Sequence, residues 1–208
     1  MHPGSASMYS IGDLEIGFVA TGEGRGKLFV KKAKDEKGIV YRLTAVLYVH
    51  DWNIMRAMIK TSEHGQVQDE FEIESKEKNL NADEIKSLQQ DFEKLFLNRL
   101  SVVDYLSSYP DKLEKLKAHR SQAGKAQIQI SESPKKNLAI LRIKTKDRPG
   151  LLLEVAQVLY LLHLDIVSLE AGMIGQDADD IFYIRHENNK ALEGDDRLRL
   201  LDELRKVL

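Results

Sequence analysis

The sequence predicts an α+β fold built from two copies of one β-α-β-β-α unit. Three observations carry that prediction. Residues 25–54 resemble residues 137–166 at an offset of 112, with eight of 30 aligned positions identical. Unrelated segments of ordinary composition would share about two. In both copies a strand-like run, a polar turn and a stripe of helical period follow in the same order. A second and a third strand pattern, divided by a glycine turn, then lead into a further helical stripe.

The elements follow in chain order. Residues 27–31 and 138–145 read as the first strands. The turns are Asp35-Glu36-Lys37-Gly38 and Asp147-Arg148-Pro149-Gly150. Ile39, Leu43, Val46 and Leu47 make one apolar stripe, and Leu151, Val155, Val158, Leu159 and Leu162 make its counterpart. Asp147 stands where a carboxylate can cap free N–H groups, and Pro149 suits a first helical turn. Residues 54–60 and 166–174 read as second strands, and 70–73 and 180–185 as third strands. Asn81 and Glu84 form a capping-box pattern ahead of Ile85, Leu88, Phe92, Leu95 and Phe96. Leu198, Leu201 and Leu204 carry the last stripe.

The expected sheets are antiparallel, each covered by two helices, in the ferredoxin-like manner. A fourth strand must then come from elsewhere. Residues 15–19 and 127–130 can each form a hairpin with the strand that follows and sit at a sheet edge. The hairpins are favoured because sequential strands usually neighbour each other. In the rival arrangement, 127–130 closes the first unit and 15–19 the second. The expected organisation is a first module at 14–98, a helical connector at 99–126 broken at Tyr109-Pro110, and a second module at 127–208.

Composition narrows the function. The 208 residues carry 31 basic and 33 acidic side chains, a formal charge of −2. That balance argues against nucleic acid as a partner. With no cysteine, thiol catalysis, disulfides and cysteine-ligated metals are excluded. No run of about 18 apolar residues suggests a membrane span, and residues 1–7 lack the pattern of a signal peptide, so a cytoplasmic protein is expected.

Most candidate motifs reduce to structure. Gly26-Lys27 would need glycine at Thr21, a hydroxyl at Leu28 and a helix next to resemble a phosphate loop, so a hairpin turn is expected. His2, His50, His64, His119, His163 and His186 show no metal spacing; His50 and His163 are expected as helix-end or surface residues. No serine lies in a nucleophile elbow. Asp179-Asp180 and Asp195-Asp196 read most simply as flanking a strand and starting a helix. No catalytic residue, metal or cofactor is expected.

The turn at Asp147–Gly150 is different. Asp147-Arg148-Pro149-Gly150-Leu151-Leu152, then a helix and Leu164-Asp165-Ile166, together with Asp180-Ile181-Phe182-Tyr183, resembles tandem ACT domains. The resemblance is nearest to the C-terminal ACT pair of bacterial PII uridylyltransferase/uridylyl-removing enzymes. It implies a non-catalytic regulatory protein sensing an amino acid, with glutamine suggested by analogy. It also implies a regulated protein partner and is compatible with a homodimer. The alternatives are an accessory part of a uridylyltransferase-type system, or an interaction module whose ligand site has decayed. Only 24 residues precede the first repeat, so a regulatory module without its enzyme is expected, either a stand-alone sensor or a piece of something longer.

By the same resemblance, Asp147, Arg148, Pro149, Gly150, Leu151 and Asp165 would bind ligand. Asp35, Gly38 and Asn53 would form a weaker second site, since Glu36 and Lys37 replace the motif's arginine and proline. Gly150 would let a carboxylate reach free N–H groups, and Asp147 or Asp165 would accept its ammonium. The bland alternative is that Asp147 and Pro149 only start a helix and Gly150 only packs it. Tyr48 and Tyr160 recur off the apolar stripe, which fits either contact with a neighbouring module or ordinary exposed tyrosines.

Overall fold

The computed structural model describes residues 7–62, 64–97, 100–121, 124–135 and 137–208. Expectations placed on residues 1–6 and on Arg99 lie outside them. The elements are β1 (Ser7–Ile11), β2 (Leu14–Gly22), β3 (Arg25–Lys32), α1 (Ile39–Val49), β4 (Asn53–Thr61), β5 (Val67–Glu74), α2 (Ala82–Phe96), α3 (Val102–Ser107), α4 (Pro110–Ser121), β6 (Gln127–Glu132), β7 (Ala139–Lys146), α5 (Leu151–Leu161), β8 (Leu164–Ala171), β9 (Met173–Ile174), β10 (Asp177–His186) and α6 (Gly194–Val207).

The fold is α+β, as expected, but the two sheets are continuous. Their strands run β1-β2-β3-β5-β4-β8-β10-β7-β6, with β9 against β10, and every pairing is antiparallel. Within each unit the order is hairpin strand, first, third, second, which is the ferredoxin-like order with the last strand moved to the front. Both hairpins form. Residues 15–19, however, are not at an edge: β1 pairs outside them through a turn at Gly12, whose φ is 63°. In Ser7–Ile11, half-buried positions alternate with exposed ones and end on buried Ile11, a pattern too short to stand out in sequence.

The units meet at β4 and β8, where Ala57 faces Ala171 and Ile59 faces Leu169. Positions 57 and 59 correspond to 169 and 171 by the repeat, so this seam is a self-complementary contact inside one chain. Helices α1 and α5 pack on each other above it, flanked by α2 and α6. Tyr41 and Tyr160 meet across that contact with ring centroids 5.3 Å apart.

Alternation drives the strands. Every second residue of β5 and β7 is buried. Leu28 faces Phe71 and Leu141 faces Phe182, the same core pair in each unit. Burying such a side chain fully contributes about 1.5–3 kcal/mol. These pairs show that β3 and β7 correspond at an offset of 113. The identity of Lys32 with Lys144 is therefore not a structural equivalence.

Helix ends also differ from expectation. Asp147 does not cap α5: the N-cap residues are Gly150 and, for α1, Gly38, with φ of 82° and 81°, and neither helix has a side-chain cap. Asn81 does cap α2, accepting Glu84 N–H at 2.9 Å. The Glu84 carboxylate does not return the bond; it accepts from Trp52 Nε1 at 3.0 Å and lies 3.2 Å from His50 Nδ1.

His50 is the C-cap residue of α1, as expected at a helix end, but it is buried and not a surface residue. Its Nε2 lies 3.0 Å from Asp91 Oδ2, which also accepts the Tyr105 hydroxyl at 2.7 Å. Burial opposes ionisation of Asp91, but the bonds from His50, Lys94 and Tyr105 hold its carboxyl well below the ordinary range. This cluster ties the connector to the first module. The connector breaks at Tyr109-Pro110 as expected. No helix among the described residues is long and apolar enough to cross a membrane.

Candidate functional site

The β4–β8 seam and the α1–α5 contact create two pockets related by the repeat. The α5 pocket lies between the Asp147–Gly150 turn, the start of β4 and the junction of β8 with β9. The α1 pocket lies between the Asp35–Gly38 turn, the start of β8 and the end of β4. Each encloses a cavity of about 30 Å³. Each is therefore built from both modules, because antiparallel joining brings one unit's second strand beside the other unit's turn.

That geometry redistributes the residues singled out in sequence. Asp147, Arg148, Gly150, Leu151 and Asn53 share the α5 pocket, whereas Asp165 lies with Asp35 and Gly38 in the α1 pocket. The expected grouping of Asp165 with the Asp147 turn does not hold, because β8 carries Asp165 to the opposite pocket. Asn53, given to the weaker site, faces Asp147 instead, with Nδ2 3.5 Å from Oδ2. Pro149 is exposed and lines neither pocket.

Gly150 is required by packing. A Cβ there would lie 2.4 Å from Leu116 and 3.1 Å from Tyr48, so its open side is filled by side chains. Gly38 meets Tyr160 in the same way, at 2.8 Å. Tyr48 and Tyr160 do contact the opposite module, each sealing the other's helix start.

Arg148 is buried beneath the turn. Its Nη2 donates to Glu154 and, at 2.8 Å, to the carbonyl of Val207. Among the described residues, Nε and Nη1 are buried without partners. Glu154 is 0% exposed and also receives Arg120. Together with α5 N–H groups that no side chain caps, the two unpartnered nitrogens can receive a carboxylate.

Sequence reasoning gave no site role to Asp69 or to Asp180, although Asp180 opens one of the motifs that carry the resemblance. Both are buried inside third strands and are equivalent by the repeat. Asp180 does not flank a strand: its Oδ1 accepts Gly172 N–H at 3.2 Å, where β8 breaks before β9. Asp69 Oδ1 accepts Lys60 N–H at 3.3 Å at the matching place. Burial pushes Asp180 up to about 7 and Asp69 up to about 8, with Asp147 and Asp35 adding to the respective shifts. Asp147 and Asp35 are themselves raised, chiefly by burial. The available signal was a charged residue recurring at an inward position of both third strands. Among the described residues, no group of three or more His, Cys, Asp or Glu side chains could hold a metal ion.

No family model matches the chain. It is similar to bifunctional uridylyltransferase/uridylyl-removing enzymes over most of its length. That of Novosphingobium aromaticivorans is 25% identical over 175 residues, covering 82% of this chain and 19% of the relative. That of Pasteurella multocida is 25% identical over 187 residues, covering 89% and 21%. The chain thus spans about a fifth of the length of these relatives. Among solved structures, aspartate kinase from Synechocystis aligns with a TM-score of 0.45 at 19% identity, over 80% of this chain and 25% of that one.

Proposed function

We propose that this stretch is a non-catalytic regulatory pair of ACT modules that senses an amino acid in the α5 pocket. The observation that carries this reading is the meeting there of opposite chemistries across a module seam. Arg148 offers two unpartnered buried nitrogens, and Asp147 and Asp180 offer acceptors. An amino acid needs both: a cationic or N–H-rich site for its carboxylate and a carboxylate for its ammonium. Resemblance to the uridylyltransferases makes glutamine the first ligand to try. It also makes a uridylyltransferase-type system, in the cytoplasm, the setting in which to seek the regulated partner.

The pocket's size suggests how sensing would be transmitted. A cavity of about 30 Å³ admits one water-sized body. The pocket opens to solvent, so an amino acid either leaves part of itself in the open mouth or displaces Tyr48 and parts α1 from α5; in the second case binding selects a different packing of the modules. The same smallness favours a second reading, an interaction module without a ligand.

A thermal-shift screen over the twenty amino acids separates the two. A ligand bound only by the native state raises the melting temperature, by about 1.4 kcal/mol equivalent at ten times Kd. Arg148→Gln should abolish that response. A flat screen leaves the ligand-free reading.

A further inference from the structure

The α1 pocket has its own chemistry. Where the α5 pocket has Arg148 and Asn53, the repeat places Glu36 and Asp165. Among the described residues, four carboxylates and no basic side chain line this pocket. Two are compensated from outside: Glu36 by Arg42 and Lys32, and Asp165 by Arg185 at 3.1 Å. Asp35 and Asp69 have no basic partner among the described residues.

Asp35 accepts the Thr61 hydroxyl at 3.2 Å and Glu36 N–H at 2.8 Å. Asp69 is 4% exposed, and its Oδ2 is buried with no hydrogen-bond partner among the described residues. An unpaired buried acceptor is costly, so a donor belongs there. The cavity beside it admits one water-sized body. An ammonium group has that size, carries one positive charge and donates several hydrogen bonds. An α-carboxylate, by contrast, would arrive between Glu36 and Asp165.

We propose that the α1 pocket is a site for an ammonium group, either the free ion or the head of an amine without a carboxylate, held between Asp35 and Asp69. Binding displaces to solvent the proton that burial otherwise keeps on Asp69, so that Oδ2 accepts one N–H, and Asp35 adds a second carboxylate beside the ammonium. The proposal is independent of whether the α5 pocket takes an amino acid. It makes the two pockets unequal in ligand as well as in sequence.

The test is a melting experiment on the full chain with ammonium, methylammonium, 1,4-diaminobutane, potassium and tetramethylammonium chlorides at matched ionic strength. Ammonium should raise Tm by about 3–6 °C above potassium at ten times its Kd. A response to ammonium alone identifies the free ion as the ligand. An equal or larger response to methylammonium and the diamine identifies an amine head. Asp69→Asn should remove the ammonium-specific shift. Asp35→Asn, at a half-buried turn, should remove it too and carries the test if the first variant folds poorly. Equal shifts with potassium or tetramethylammonium, or an unchanged response in both variants, would overturn the proposal. An amino-acid response without an ammonium response defeats this proposal alone; the reverse pattern defeats only the amino-acid reading.

Discussion

The two turns occupy equivalent places yet are braced by ion pairs of opposite polarity. In the second module Arg148 of the turn meets Glu154 of α5; in the first, Glu36 of the turn meets Arg42 of α1. Residues 36 and 42 correspond to 148 and 154 at the offset of 112. The substitution of glutamate for the motif arginine is therefore a swap, compensated one helical turn along. What the swap changes is burial. Glu154 is fully buried between two arginines, whereas the Glu36 carboxylate is partly exposed. Two copies of one sequence pattern thus keep the same brace but aim opposite charges at their pockets.

The largest test of this comparison is Glu154→Ala against Glu36→Ala. Removing Glu154 leaves Arg148 buried without its counter-charge and should cost about 3–5 kcal/mol in urea unfolding. Removing Glu36 from its partly exposed pair should cost less than about 1 kcal/mol. Equal losses would break the claim that burial distinguishes the braces.

The two glycines come next. Gly150→Ala adds a Cβ at positive φ and drives it against Leu116 and Tyr48, for an expected loss of about 2–4 kcal/mol. Gly38→Ala meets only the Tyr160 ring, which is half-buried and can move; about 1–2 kcal/mol is expected. Chemical denaturation of the two variants reads the order directly, and a larger loss at Gly38 would reverse it.

A smaller effect separates the buried aspartates. Both hold a proton in the folded state at pH values where the unfolded chain has released it. Their contribution is complete below the ordinary carboxylate pKa and is lost as pH rises through the folded values. Stability should therefore fall between about pH 4 and 8. Asp69→Asn should gain on the native chain until about pH 8, and Asp180→Asn until about pH 7. Melting curves from pH 5 to 9 check both, and parallel profiles for native chain and variants would refute the assignment.

The smallest difference lies in the sealing tyrosines. Tyr48 donates its hydroxyl to the Lys112 carbonyl at 2.8 Å, so Tyr48→Phe should cost about 0.5–1.5 kcal/mol. The Tyr160 hydroxyl has no hydrogen bond among the described residues, and Tyr160→Phe should be nearly neutral. Its ring instead carries Lys37, whose Nζ lies 4.7 Å from the ring centroid.

The sequence by itself determined what depends on near neighbours along the chain. Stripes such as Leu151–Leu162, the alternation of the third strands and the hairpins at 15–19 and 127–130 were legible because period and turn chemistry act within a few residues. The repeat then located both turns. Which turn faces which strand was decided only in three dimensions, where β4 and β8 met edge to edge and exchanged Asn53 and Asp165 between pockets. Gly150 likewise reads as an opening until Leu116, from a distant helix, is seen to fill it. Asp69 and Asp180 look like any acidic residue in a strand, because a carboxylate's neighbours in sequence do not reveal whether water reaches it. Burial is a property of the assembled seam, and the seam gives these two carboxylates their chemistry.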